Sequence, residues 1–98
     1  MIGYRIRQLR EHRHILLRHL AAHLDIDTAL LSKMERGDRL FRKEDIMALA
    51  IFFNQPEEEL LSLWLADKIL RTIEEEENKE HALTLALNAI KETEQPKL

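Results

Sequence analysis

Apolar residues recur at intervals of three or four along most of the chain, which is the spacing of one face of an α-helix. Polar segments that contain turn-forming residues interrupt this pattern. It predicts helices over residues 2–13, 17–24, 28–36 and 43–53, a fifth helix from residue 56 and a sixth over residues 79–92. Residues 93–98 are expected to fray. The sequence therefore predicts an all-α protein.

Residues 20–37 hold two of these helices with a very short connection between them. Leu20 and Leu24 lie on the apolar face of the first, and Leu31 and Met34 lie on that of the second. A connection this short allows only a sharp crossing of the two helices. That arrangement is a helix-turn-helix.

Capping residues flank the second helix of this motif. Asp27 precedes it and can accept hydrogen bonds from the free backbone N–H groups of the first turn. Gly37 follows it and can adopt the left-handed conformation at no steric cost. These two residues predict that the helix covers residues 28–36.

The outward face of this helix carries small side chains and one lysine, namely Thr28, Ala29, Ser32 and Lys33. A helix can enter the DNA major groove only if its leading side is narrow and able to hydrogen-bond. Lys33 could donate to guanine O6 or N7, and the methyl groups of Thr28 and Ala29 could contact a thymine methyl. We expect these four residues to contact DNA bases. The residues alone leave a solvated helix face open as the alternative.

The composition is that of a globular helical protein. Of 98 residues, 45% are hydrophobic and 34% are charged, with two Gly, two Pro and no Cys. Without Cys there are no disulfides and no thiolate metal sites, as suits a reducing cytoplasm. No apolar run approaches the ~20 residues of a membrane span, and the first residues lack the apolar stretch of a signal peptide. We expect a cytoplasmic protein without a membrane partner.

The net charge of −3 conceals an uneven distribution. Residues 1–43 hold ten Lys and Arg against five Asp and Glu, a balance of +5. Residues 44–98 hold five against thirteen, a balance of −8. Attraction to phosphate acts locally, so a basic half on an acidic chain fits nucleic-acid binding. Charge also serves solubility, so the asymmetry alone leaves both readings open.

A set of residues between positions 6 and 61 follows a pattern known from bacterial regulators. It consists of Ile-Arg-Gln-Leu-Arg at residues 6–10, Leu20, Ala21, Leu24, Ile26, Ser-Lys-Met-Glu-Arg-Gly at residues 32–37, Leu49, Ala50, Phe53 and Leu60. Through these residues the chain resembles the phage-repressor/Cro-like (XRE-type) helix-turn-helix family. The resemblance implies a five-helix repressor-like domain, here with an added C-terminal helix. Within the family the chain is similar to restriction–modification controller proteins and to antitoxin-type autoregulators, which the sequence does not separate.

The resemblance also implies roles for residues outside the base-reading face. In the family pattern the arginine at Arg10 pairs with the glutamate at Glu35, so a structural ion pair is expected. Family members contact the DNA backbone or the central minor groove near the loop after the recognition helix. The basic residues expected to do so here are Arg36, Arg39, Arg42 and Lys43.

Three positions depart from the family pattern. Leu16 and Leu17 replace a Ser/Thr N-cap and the following Gln, so the helix over residues 17–24 loses its side-chain cap. Arg18 or His19 would then supply the phosphate contact at this helix. Asp25 stands where the family usually has Gly, and Asp adopts the left-handed conformation less easily. In addition, Leu30 replaces a small polar residue.

The fifth predicted helix is more apolar than one core-facing side requires, and exposed apolar patches mark interfaces. We expect a symmetric homodimer built around Leu61, Trp64 and Leu65, with the sixth helix clasping it. The predicted division is a DNA-binding domain over residues 1–70 and an acidic connector with a dimer-supporting helix over residues 71–98. The predicted function is sequence-specific transcriptional regulation, with double-stranded DNA bound as a palindromic operator and autoregulation as one expected role.

A protein-interaction module is the main alternative function, a metal sensor is a weaker one, and an enzyme is not expected. A protein-interaction module, antitoxin-like or a partner of a modification enzyme, would use a leucine-rich surface that includes Leu16, Leu17 and Leu30. A metal-responsive sensor would use the histidines of the N-terminal half, but no cysteine or carboxylate completes a metal site at a recognisable spacing. Those histidines are His12, His14, His19 and His23. No catalytic motif or phosphate-binding glycine loop is visible, so neither enzymatic activity nor a cofactor is expected.

Overall fold

The computed structural model describes residues 1–94. This part of the chain forms six α-helices and no β-strand: α1 (Ile2–His12), α2 (Leu17–His23), α3 (Thr28–Arg36), α4 (Lys43–Phe52), α5 (Glu57–Ile73) and α6 (Lys79–Glu94). The predicted all-α fold, with its helix-turn-helix and its added C-terminal helix, is confirmed. None of the described helices is long and apolar enough to cross a membrane.

Several helix ends differ slightly from the sequence prediction. α1, α2 and α4 each end one residue earlier, because the next residue serves as the C-cap. Pro56 is the N-cap of α5 rather than its first residue. α6 extends to Glu94, and the hydroxyl of Thr93 donates to the carbonyl of Ala89 at 2.8 Å, so the predicted fraying is wrong for Thr93 and Glu94. The rest of that predicted tail, residues 95–98, lies outside the described residues.

The first five helices surround one hydrophobic core, and each contributes a fully buried side chain. These side chains belong to Ile6, Leu20, Leu31, Leu49 and Leu60. Each buried side chain of this size is worth roughly 1.5–3 kcal/mol relative to exposure. Their contacts hold the helix-turn-helix formed by α2 and α3 against the other three helices.

The connection between α3 and α4 is anchored in the core. Residues 38–42 read as a polar loop in the sequence, yet Phe41 is only 2% exposed and Leu40 packs against the core. Phe41 was missed because the basic residues beside it hide any helical or strand-like spacing. This buried aromatic ring ties the loop to the body of the domain.

Local backbone chemistry sets the helix-turn-helix. The Asp27 carboxylate accepts a hydrogen bond from the Leu30 N–H at 2.7 Å, which confirms the predicted N-cap. Gly37 has φ of +85° at the end of α3, as predicted for a left-handed C-cap. Asp25 adopts φ of +56° in the turn before α3, the conformation for which the family pattern has glycine.

α1 and α3 approach each other closely at Gly3. A Cβ atom at this position would overlap the carbonyl oxygen of Met34 and lie 2.8 Å from that of Glu35. Both obstacles are backbone atoms, which no side-chain rotation can move. Gly3 is therefore required by the packing of α1 on α3.

α6 differs from the other helices because none of its residues is buried. Its apolar stripe, with Leu83, Leu87 and Ile90, is exposed to solvent. The domain division predicted at residue 70 stays a prediction. α5 continues through that position to Ile73.

Candidate nucleic-acid interface

The outward face of α3 presents the four side chains predicted to contact bases. Thr28, Ala29 and Lys33 are exposed, and Ser32 is half-buried. The opposite face of α3, with Leu31 among its residues, is buried in the core. The Lys33 ammonium has no hydrogen-bond or ion-pair partner within residues 1–94, so its donors face solvent.

Arg36 is exposed at the end of α3, but its guanidinium is held within the protein. It donates to the Ser32 hydroxyl at 2.9 Å through Nη1 and to the Asp38 carboxylate at 3.1 Å through Nε. A phosphate would compete with Asp38 for this group. Ser32 in turn keeps its own O–H available as a donor.

The guanidinium of Arg42 makes two hydrogen bonds to one carboxylate, that of Asp45. Its Nε and Nη2 donate to the two carboxylate oxygens of Asp45 at 3.1 and 3.0 Å, and Asp45 also accepts from the Arg42 backbone N–H at 3.4 Å. These bonds cap the first turn of α4, a role for Arg42 that was not predicted from the sequence. The side-chain hydrogen bond with Asp45 raises the pKa of Arg42.

Arg39 and Lys43 are the basic residues of this region that stay free among the described residues. Both are exposed, and neither side chain donates a hydrogen bond or joins an ion pair there. Arg39 lies in the loop and Lys43 begins α4. Of the four basic residues predicted to contact the DNA backbone here, these two need not break an existing contact to bind a phosphate.

Arg18 and His19 are exposed in the first turn of α2. The N-cap, Leu16, makes no side-chain hydrogen bond, and its side chain is 48% exposed. Leu17 and Leu30 are half-buried and pack against the core. The leucine surface considered for a protein partner is thus reduced to Leu16 among these three residues.

Arg10 and Glu35 are brought together between α1 and α3. The guanidinium donates twice to the carboxylate, from Nε to Oε2 at 2.8 Å and from Nη2 to Oε1 at 2.9 Å. Its Nη1 donates to the carbonyl of Ile15 at 3.0 Å. The hydrogen bond to Glu35 raises the pKa of Arg10 by more than burial lowers it. This pair fixes the inner side of α3 while the outer side faces solvent.

α5 holds both ends of the loop that follows α3. The Trp64 indole N–H donates to the carbonyl of Phe41 at 2.7 Å, and Arg71 Nη2 donates to the carbonyl of Gly37 at 2.6 Å. Sequence reasoning missed both contacts, because every residue offers a carbonyl and no pattern marks the one that is used. We call these two hydrogen bonds the loop clamp.

The residues predicted for a dimer interface differ in exposure. Leu61 and Trp64 are half-buried and pack against the core of their own chain, whereas Leu65 is 51% exposed. Ile69 and Leu70 add exposed apolar surface further along α5. The free apolar surface therefore lies nearer the C-terminal end of the helix than the sequence suggests. Dimerisation itself stays a prediction.

The histidines considered for a metal site do not form a cluster of ligands among the described residues. Across residues 1–94 no group of three or more His, Asp or Glu side chains is placed to hold a metal ion. His23 instead packs its ring on Phe52, with ring centroids 4.6 Å apart.

Comparison with known families gives one match. The family model described as a helix-turn-helix domain matches residues 2–63, which is more than half of the chain. The matched segment spans α1 to α4 and the first part of α5. No curated protein and no solved structure matches the chain.

Proposed function

Because the chain belongs to the helix-turn-helix domain family, we propose that it is a sequence-specific transcriptional regulator that binds a palindromic operator as a dimer. Members of such a DNA-binding family are typically not enzymes. The family assignment indicates a DNA-binding regulator. The dimer, the operator symmetry and the residues that read it are our proposal.

The observation that carries the proposal is the contrast between the two sides of α3. The inner side is fixed by buried Leu31 and by the Arg10–Glu35 ion pair. The outer side exposes a free lysine, Lys33, beside the short side chain of Ala29. Short side chains let the helix axis approach the base edges, and a free ammonium can donate to guanine O6 or N7.

The surroundings of α3 supply charge for the DNA backbone. Arg39 and Lys43 lie on its C-terminal side, and Arg18 lies on the preceding helix of the motif. All three are exposed and have no acidic partner among the described residues. Contacts of this kind set the position and orientation of the protein on DNA without reading sequence.

A two-fold dimer would present two copies of α3. Their half-sites would then lie about 34 Å apart, one turn of DNA. The exposed Leu65 and Ile69 of α5 support a self-complementary contact, and the exposed stripe of α6 would clasp the partner. The similarity to controller and antitoxin-type regulators extends the proposal to autoregulation.

The interaction-module function keeps one specific observation in its favour. The apolar stripe of α6, with Leu83, Leu87 and Ile90, is exposed along the helix, and a different protein could cover it. That function needs no DNA contact from α3, so DNA binding separates it from our proposal.

The test is a selection from random double-stranded oligonucleotides with the purified protein, followed by titration of the enriched site at two salt concentrations. We expect a palindromic sequence with half-sites one turn apart and affinity that falls steeply with salt. The variant Lys91→Ala, which removes an exposed lysine of α6, is the charge-matched control for substitutions at Lys33. If no sequence is enriched and binding is absent at low salt, the proposal is wrong and the interaction module takes its place.

A further inference from the structure

The loop clamp leads to an inference that rests on the proposed function. We propose that Trp64 is a positioning residue for DNA binding, because it holds the loop from which Arg39 contacts a backbone phosphate. Arg71 holds the other end of the same loop. α5 thus takes part in DNA binding without touching DNA.

The geometry of α5 suits this role. Trp64 and Arg71 are seven residues apart, nearly two full turns, so they lie on one face of the helix. Leu60 and Asp67 share this face. Leu60 is buried in the core, and Asp67 accepts a hydrogen bond from the Ile2 backbone N–H at 2.8 Å. The face is therefore anchored at successive turns, and it gives the clamp a rigid base.

Three residues lie between the two clamped carbonyls. Leu40 packs against the core, and Asp38 is paired with Arg36. Arg39 alone of the three is exposed without a partner in the described chain. The clamp constrains the backbone that carries Arg39, whereas the Arg39 side chain is left for a ligand of opposite charge.

A constrained backbone matters because binding must order whatever is still mobile. Ordering a flexible segment on binding costs free energy that a preorganised segment has already met on folding. The clamp uses the stability of the domain to preorganise the loop. Losing one clamp bond should leave the fold intact but make the Arg39 contact weaker.

The test is a double-mutant cycle on the enriched operator. Trp64→Phe keeps an aromatic ring near Lys68 and removes the N–H that donates to Phe41, together with part of the indole ring. We expect it to weaken operator binding by about three- to tenfold, as for loss of one partly buried hydrogen bond. In an Arg39→Ala background, Trp64→Phe should reduce operator affinity by less than about twofold, because the Arg39 contact through which it acts is already absent.

Two further variants make the result specific. Thr72→Val removes another α5 donor, whose acceptor is the carbonyl of Lys68 within the same helix, and should leave binding unchanged. Arg71→Gln removes the guanidinium that makes the other clamp bond, and its coupling to Arg39→Ala should have the same sign as that of Trp64→Phe. Trp64 is the only tryptophan, so operator binding should also change its fluorescence, and less so in Arg39→Ala.

Each outcome has a defined meaning. Equal losses from Trp64→Phe in both backgrounds, or no loss at all, would overturn the positioning role while the wild-type protein still binds its operator. If Trp64→Phe does not fold, the Arg71→Gln cycle decides in the same way. Absence of salt-dependent DNA binding by the wild-type protein would instead overturn the proposed function, and this inference with it.

Discussion

The guanidinium of Arg10 and the carboxylate of Glu35 form a two-pronged ion pair that joins α1 to α3. The two side chains are only 14% and 4% exposed. Two parallel hydrogen bonds fix both distance and orientation. The pair therefore fixes the orientation of α3 relative to α1.

Removing one partner should leave a buried charge without its counter-ion. We expect Arg10→Ala to lower the free energy of unfolding by about 3 kcal/mol. Arg7→Ala is the control, since Arg7 pairs with Glu11 on the exposed side of the same helix and should contribute no more than about 0.5 kcal/mol. Urea unfolding followed by circular dichroism measures both. Equal unfolding midpoints for the two variants would contradict the structural role of the pair.

The contact at Gly3 gives a second stability prediction. Gly3→Ala should destabilise the protein by about 1–3 kcal/mol, because the new methyl group meets backbone oxygens of α3. Gly37→Asn is the comparison, since nothing lies within 4 Å of a Cβ there and Asn tolerates the left-handed conformation. It should change the stability by less than about 1 kcal/mol. Thermal unfolding distinguishes them, and an unaltered melting temperature for Gly3→Ala would show that α1 and α3 can separate at no cost.

Lys33 provides the main test of sequence reading. Lys33→Ala should weaken binding to the cognate operator by about 1–3 kcal/mol and affect non-specific DNA less, because a base-edge donor is lost. Lys91→Ala should leave specific binding unaltered. Fluorescence anisotropy with operator and scrambled duplexes gives the two affinities. A Lys33 variant that binds both duplexes like the wild-type protein would remove α3 as the reading helix.

Arg39 and Arg42 should behave differently although the sequence treats them alike. Arg39 is free, so Arg39→Ala should weaken binding to all sequences and reduce the slope of log affinity against log salt by about one unit. Arg42 is bonded to Asp45 in the cap of α4, so Arg42→Ala should mainly lower the melting temperature. Titrations at several salt concentrations, paired with thermal melts, separate the two effects. The reverse assignment would mean that Arg42 leaves Asp45 to bind DNA.

The dimer prediction is tested on α5. Leu65→Asp should shift sedimentation toward the monomer, because a charge would enter the proposed apolar contact. Leu85→Asp on α6 is the control, since Leu85 is similarly exposed, at 57%, but lies on the other side of the helix from Leu83 and Leu87. A wild-type protein that stays monomeric at micromolar concentration would rule out the dimer and weaken the palindromic operator with it.

Local chemistry explains which parts of the fold could be predicted. The Asp27 cap involves a backbone N–H three residues away, and the Gly37 cap depends on that residue's own backbone. Such signals lie within a few residues of each other and can be read from the sequence. The Arg10–Glu35 contact spans 25 residues, and only the resemblance to a known family pointed to it.

The remaining contacts have no local signature. Phe41 is buried although Arg39 and Arg42 lie close to it in the sequence, because its position depends on how α5 packs. Trp64 was expected at a dimer interface on the basis of its apolar character, yet its N–H donates to a carbonyl 23 residues earlier. The hydrogen bonds of Asp45 to Arg42 distinguish that arginine from Arg39, which has no partner among the described residues. Residues of one chemical type acquire different roles from tertiary packing.

The two faces of α5 have a consequence for how the protein responds to its own abundance. One face holds the loop at Phe41, and the other exposes Leu65. If pairing uses the exposed face, the same rigid helix links self-association to DNA affinity, and each strengthens the other by an equal factor. Operator occupancy would then rise with roughly the square of protein concentration when the protein is scarce. A regulator built this way would leave its operator mostly unoccupied at low copy number and occupy it over a narrow range of higher protein concentration.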